Sequence, residues 1–412
     1  MCTLLTMPKV GYYAGLVASA MFAGRILSSF AIGRVGDVYG RKPVLIVGQI
    51  VIVVTNVGLG LATSLTAAII WRFLSGALNG VIGTGKAMLN ELCEGPKSKA
   101  KGMTVIGGTW GVGLIAGSAL GGVLAQPADK WPSVFAGTLF ETHPYFLPLL
   151  VSCVVPVITL PLTICFLPET TGRRATAGPQ VHTVPIADAK EVEAVEEKVT
   201  LRMLVAQRAV RGGLVAYGLA SLAEIMFQEL FALWATLHAE LGGLGFSSTD
   251  LGLALTASGT ACFVVQVFFF PRIQARLGGP TRTFRLALYF AAGMTALFPL
   301  LGMARNAAAL LWPLLLLLIS LRISGILAGF TSSMLILNNS TDKGTGAVQG
   351  LATTVAAFFR VIGPLLVGPL FAVGVEKELP FPLDFHAVFL LTAAVAAAAA
   401  FASRMCKPAS AT

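Results

Sequence analysis

The sequence predicts an all-helical, polytopic membrane protein built as two bundles, on three observations. The chain of 412 residues is 56% hydrophobic and 12% charged, with a mean hydropathy of +0.81. That is too apolar for a water-soluble fold of this length. Apolar runs of membrane-spanning length recur through it, and its cations gather on one side of the membrane those runs would cross.

Apolar helices are expected at 11–33, 44–62, 65–90, 102–125, 146–167, 212–240, 249–270, 284–303, 308–336, 346–374 and 385–403. Between the fifth and sixth lies 168–211, which holds seven cations, six acids, several Pro and Gly, and no long apolar run. It reads as a cytosolic linker, partly disordered, with an amphipathic stretch near 188–207. The predicted domains are therefore 1–167, a bundle of five helices; 168–211, the linker; 212–403, a bundle of six; and 404–412, a cytosolic tail.

The net charge of +10 invites a nucleic-acid reading, which the placement of the charges rejects. Of 29 Lys and Arg, twenty fall on one side, in 34–42, 97–101, 173–211 and 272–285, at Lys343 and at the C-terminus. Lys9, Lys130, Arg305 and Lys377 fall on the other side, and five lie within helices. The basic side is cytosolic by the positive-inside rule. Cys153 and Cys165 are about 18 Å apart along one helix, so they cannot bridge each other. No His or Cys pair has metal-ligand spacing, so no metal and no cofactor are expected.

The densest signal is the short stretch from Gly33 to Lys42, with Asp37, Gly40, Arg41 and Lys42 in a Gly-x3-Asp-x2-Gly-Arg-Lys pattern between two apolar runs. Its glycines let the chain turn sharply, and its cations hold it in the cytosol. An internal repeat accompanies it. Arg34 and Gly40 recur as Arg272 and Gly278, and the Gly117–Gly122 pattern recurs as Gly363-Pro364 with Gly368. Two homologous halves are expected. Chance recurrence of helix-packing glycines is the other reading of the same pattern.

The Gly33–Lys42 loop resembles the one between the second and third helices of the major facilitator superfamily. Gly11-Tyr-Tyr-Ala-Gly15 with Gly24-Arg25, Arg72-Phe-Leu-x-Gly76 with Gly83-Thr-x-Lys86, Trp110-Gly-x-Gly-Leu-Ile, Leu124-Ala-Gln-Pro-Ala-Asp-Lys130 and Leu167-Pro-Glu-Thr170 narrow the likeness. They resemble the zinc-induced facilitator-like transporters, a branch near the drug:proton antiporters. The resemblance implies twelve helices, alternating access, and efflux of small organic solutes coupled to protons or cations. It does not imply that zinc is carried. Helix 11–33 must run toward the cytosol, since the basic loop follows it. Two six-helix halves would instead begin in the cytosol, so the first helix of the family is expected to be missing from this sequence. A true eleven-helix protein is the alternative.

Within the helices, charge is costly unless paired or hydrated, so each such residue is a functional candidate. Arg25, Arg72, Lys86, Glu224, Glu229, Arg322 and Arg360 are the transport and coupling candidates. The resemblance associates the Arg72 setting with proton handling. Arg72 and Lys86 also read as cations snorkelling to the interfaces, and the two Glu as fixed ion pairs with Arg322 or Arg360. Glu224 and Glu229 point about 140° apart, and Glu224 shares a face with Gln228. Glu224 is therefore the expected proton carrier, biased by Arg72 from the opposite bundle. Gly113, Gly117, Gly121, Gly122, Gly363 and Pro364 form the helix-packing motif. In it Ser118 stands where the antiporter signature has Pro. The resemblance makes Asp37 part of a cytosolic latch between the halves. Arg41 and Lys42 read equally as latch residues or lipid anchors.

The expected function is a secondary transporter moving a small organic solute by alternating access, with proton-coupled efflux favoured. The alternatives are a passive facilitator, or a solute-sensing protein that does not transport. The sequence carries no nucleophile motif or phosphate loop, so no enzyme is expected. The expected partners are a small-molecule substrate, protons and the lipid bilayer, with no nucleic acid, in a monomer. Plasma and vacuolar membranes are not distinguished.

Overall fold

The computed structural model describes residues 7–93, 109, 111–113, 115–170, 206–304, 307–338, 340, 345–377 and 380–406. Most of the linker, and the amphipathic stretch expected within it, lies outside them. The first half holds α1 (Met7–Tyr39), α2 (Arg41–Gly60), α3 (Leu65–Ala77), α4 (Val81–Leu92), α5 (Gly111–Leu124), α6 (Phe146–Ser152) and α7 (Val154–Phe166). The second holds α8 (Arg208–Thr236), α9 (Ser248–Val264), α10 (Phe270–Arg276), α11 (Pro280–Leu297), α12 (Ala308–Asn338), α13 (Thr345–Glu376) and α14 (His386–Ala402).

The apolar runs read from the sequence are largely helical where they are described, except that the single helix expected at 65–90 is broken at Leu78–Gly80 into α3 and α4. In lipid no water pairs with free backbone groups, so the chain must satisfy them within helices. Eight segments among the described residues are long and apolar enough to cross a membrane. The expected spans 11–33, 102–125 and 249–270 are not among them, and the second is described only in part. α9 stops after 17 residues, where Val265–Phe269 widens into a π-helical turn before α10.

Three end structures fix the loops. The first caps α2. Gly40 has φ +107° and offers no side-chain cap. Glu169, just past α7, supplies one instead: its Oε1 accepts from the Arg41 N–H at 2.7 Å and its Oε2 from the Lys42 N–H at 3.2 Å. A carboxylate there meets the positive end of the α2 dipole. Any Cβ at Gly40 would collide with that carboxylate. The second closes α5. Lys130 curls back so that its Nζ donates to the carbonyls of Gly122 at 2.6 Å and Val123 at 3.0 Å, a cation on the negative end of the helix. This accounts for Lys130 in the Ala-Gln-Pro-Ala-Asp-Lys stretch. The third starts α9, where Ser247 and Asp250 form a reciprocal capping box.

The second half is the more tightly packed. Phe227, Phe231, Trp234, Phe298 and Phe389 are buried and stack or meet edge to face, with ring centroids 4.8–6.5 Å apart. In a bilayer such a cluster gains from close van der Waals fit, since lipid is as apolar as the side chains.

The halves meet along two antiparallel helix pairs, α1 with α13 and α5 with α9. Their closest backbone approaches lie at the end of the molecule remote from the Gly40 turn. A methyl group on Gly11 would sit 2.7 Å from the Gly368 carbonyl oxygen, and one on Gly122 would sit 2.8 Å from the Gly252 Cα. Thr249 of the second half also donates to the Gly122 carbonyl, at 3.2 Å. Between these ends Ser19 Oγ donates to the Val361 carbonyl at 2.9 Å.

Candidate functional site in the membrane interior

The charged residues of the helices fall into three groups. The first lies wholly in the second half. Arg322 on α12 is 1% exposed, and its Nη2 lies 3.0 Å from Glu224 Oε2 on α8. Its Nε donates to Thr295 Oγ1 at 3.1 Å, and its guanidinium carbon sits 3.5 Å from the centre of the Phe227 ring. Gln228, one turn along α8, donates to Glu224 Oε1 at 2.9 Å. Glu224 thus meets a cation and an amide donor. Arg322 Nη1 has no hydrogen-bond partner among the described residues. The fixed-pair reading of Glu224 is the one the geometry displays, with Arg322 rather than Arg360 as partner.

The second group spans the halves. Arg72 on α3 and Glu229 on α8 act on each other electrostatically, without an ion pair within 4.0 Å. Each lies seven residues from the helix end remote from the Gly40 turn, at Leu65 and Thr236 respectively. The expectation that Arg72 would face Glu224 is corrected here. The two Glu lie on different faces of α8, and only Glu229 is turned toward the first half's arginine.

The third group also spans the halves and is purely cationic: Arg25 on α1, Lys86 on α4 and Arg360 on α13. Lys86 feels the charges of both arginines, and Arg25 feels that of Arg360. Arg360 lies 5.9 Å from the centre of the Phe22 ring. None of the three cations makes an ion pair among the described residues.

The packing motif is only partly used. Gly122 meets α9. Gly363 packs on Ile225 of its own half, while the Pro364 carbonyl abuts Gly15 of the other. Gly113, Gly117 and Gly121 have no neighbour within 4 Å of where a methyl would stand. The expectation that they hold neighbouring helices close is not met among the described residues. The expected loop narrows to the turn at Gly40, whose φ of +107° glycine adopts readily, while Gly33 and Asp37 lie within α1, which runs on to Tyr39. The Asp37 side chain lies outside the described set, so its expected latch role is untouched by this geometry.

Sequence reasoning missed Thr295, Phe227 and Gly252, none of which carries a signal in a chain rich in such residues. Glu169 sat in a recognised motif, yet its partners are 127–128 residues away.

Comparison with known proteins agrees with this architecture. A family model described as Major Facilitator Superfamily matches residues 9–364. The chain is 32% identical over 387 residues to the Arabidopsis thaliana protein ZINC INDUCED FACILITATOR 1, covering 89% of this chain and 77% of that one. It is 26% identical over 441 residues to the major facilitator superfamily multidrug transporter mfsB of Aspergillus fumigatus, covering 90% and 73%. Among solved structures, a D-xylose-proton symporter superposes with a TM-score of 0.67 at 14% identity, over 99% of this chain and 90% of the other. With two helical groups meeting along α1–α13 and α5–α9 and half-buried charges between them, this chain belongs to the major facilitator superfamily, an integral multi-pass membrane protein of a transporter family.

Proposed function

We propose that the protein is a proton-coupled secondary transporter that moves a small organic solute by alternating access, and that Glu229 is its proton-carrying group. The observation that carries this reading is the placement of Glu229 opposite Arg72 across the two halves. Glu224, the carboxylate favoured from sequence, is committed to Arg322 and Gln228 inside one half. Both of its partners belong to the same half, so they stay with it when the halves rock. Glu229 makes no hydrogen bond or ion pair among the described residues. A half-buried carboxylate without a direct partner, facing the other half, is placed to exchange a proton as access alternates.

The charge on Glu229 has a mechanical reach. While ionised it attracts Arg72 and draws the halves together at the end remote from the Gly40 turn. Opposed unit charges several ångströms apart are worth on the order of 2–4 kcal/mol at an effective dielectric near 20. A term of that size shifts a two-state equilibrium by roughly 30- to 1,000-fold. Protonation removes it and lowers the resistance of the two halves to rocking. The names of two similar proteins, a multidrug transporter and a proton symporter, support the class of activity.

The test is flux in proteoliposomes with and without a pH gradient, across a panel of organic solutes. The wild type should move at least one solute faster with the gradient. Glu229→Gln should lose that acceleration while retaining exchange at equal pH. Acceleration by the gradient that survives in Glu229→Gln removes the assignment. Flux that ignores the gradient in the wild type makes the protein a passive facilitator.

A further inference from the structure

The third charged group has no role in the coupling just described. Arg25 and Lys86 come from the first half and Arg360 from the second. All three are half-buried, and each stands within the electrostatic reach of the others. Glu224 and Glu229, the carboxylates of the second-half helix interior, are turned to Arg322 and Arg72. Like charges gathered in a low-dielectric interior repel one another and lack hydration. Such a cluster is tolerable when an anion completes it.

Depth and surroundings narrow the anion. Arg25 lies fourteen residues before the end of α1 at Tyr39, about 21 Å along the helix, so it sits well inside the bilayer. Arg360 is similarly deep, fifteen residues into α13. A lipid headgroup would have to leave its own layer to reach them. Phe22 is one turn from Arg25 on the same face of α1, and its ring lies 5.9 Å from the Arg360 guanidinium carbon. Tyr217 of α8 also stands in the field of Arg360. Two guanidinium forks suit carboxylate oxygens, and two aromatic rings suit an apolar body. Because the cations belong to opposite halves, an anion held by all three is bound differently whenever the halves move. That is the situation of cargo rather than of a structural ion.

We propose that Arg25, Lys86 and Arg360 form the binding site for a solute bearing at least one carboxylate, with Phe22 and Tyr217 flanking its organic part. This rests on the transporter reading and names the class of its substrate.

The experiment measures equilibrium binding to the full chain in phosphatidylcholine nanodiscs, by calorimetry and by thermal unfolding. The probes are citrate, succinate, glutamate and benzoate, with benzamide as the neutral match to benzoate. At least one carboxylate should bind and raise the unfolding temperature, and benzamide should not. Lys86→Gln and Arg360→Gln should each weaken that binding at least about tenfold, the loss of one charge-assisted contact. Arg360→Lys should weaken it less. The ligand-free Lys86→Gln protein should unfold no earlier than wild type, since repulsion has been removed; this separates a binding defect from a folding defect. Glu229→Gln should still be stabilised by the carboxylate and not by benzamide, so failure of proton coupling and failure of this site read out separately. Absence of binding by all four carboxylates, equal binding of benzamide and benzoate, or full binding in the Lys86→Gln/Arg360→Gln protein overturns the proposal. So does complete loss of carboxylate binding when phosphatidylserine is added to the nanodisc, which would assign the site to lipid.

Discussion

Glu224→Gln leaves the Arg322 guanidinium buried without its counter-charge. Arg322 is 1% exposed, and Nη1 already lacks a partner, so water cannot compensate. Removing one member of a buried ion pair costs about 3–5 kcal/mol. Here the Phe227 ring beneath the guanidinium and the Thr295 hydroxyl remain. The ring is worth ~2 kcal/mol to a desolvated cation, which places the expected loss near the lower bound, ~3 kcal/mol. Arg322→Met strands Glu224 instead, with only the Gln228 amide still donating to it, and should cost about as much. Replacing both residues removes both stranded charges. Glu224→Gln/Arg322→Met should fall within ~1 kcal/mol of wild type, a coupling energy of several kcal/mol. Equilibrium unfolding in mixed micelles measures all four proteins of the cycle. Losses that simply add in the double variant, with a coupling energy below ~0.5 kcal/mol, would refute the argument that each residue exists to neutralise the other. The flux assay adds a second reading. A double variant that regains stability and retains gradient-driven transport would confine Glu224 to a structural role.

Further outcomes follow from single contacts. Gly40→Ala must hold an L-residue at φ +107° against the Glu169 carboxylate, and should cost ~2–3 kcal/mol of stability in the same unfolding assay. Glu169→Gln exchanges a carboxylate for an amide at the start of α2 and should cost ~1 kcal/mol, less at high salt. Gly122→Leu should force α5 off α9 and reduce proteoliposome flux below a tenth of wild type, while the protein still inserts; unimpaired flux would show that this approach is dispensable. Asp37→Asn should leave unfolding within ~0.5 kcal/mol of wild type and slow transport, and an unchanged rate would count against a gating role for the loop.

The fold was legible because two independent properties agreed. Apolar runs located the helices, and the distribution of Lys and Arg set their direction. The charged residues were legible as candidates for one reason: an ionised group in a lipid-spanning helix needs a partner. Which partner it takes was not. Glu224 and Glu229 are five residues apart on one helix, so they necessarily face different ways, but nothing local says which way is inward. That depends on how α8 is rotated against α12 and α3, helices distant in sequence. Glu169 shows the same limit. The Leu-Pro-Glu-Thr stretch was visible, yet its carboxylate acts on a turn 128 residues earlier, brought close only when α7 returns antiparallel to α2. Glycine patterns misled for a related reason. Regular spacing marks a helix face free of side chains, but only a neighbour's position decides whether that face is used, and among the described residues Gly122 has such a neighbour while Gly117 has none.

The bare meeting of Gly122 with Gly252, and of Gly11 with Gly368, bears on how the two halves can turn. Interlocked side chains behave like gear teeth, and sliding one helix past another requires them to change rotamer in concert. Two backbones touching where neither has a side chain meet as smooth bearings. Rotation about such a point breaks no interdigitation, though it must carry the Thr249 hydroxyl that donates to the Gly122 carbonyl. With one bearing on each helix pair, both at the same end of the molecule, the line joining them is a natural axle. A swing about that axle moves the opposite end most, as the rim of a door moves more than its hinge. A tilt of only ~10° over the ~30 Å thickness of a bilayer core shifts the far end by about 5 Å, roughly the width of a small solute.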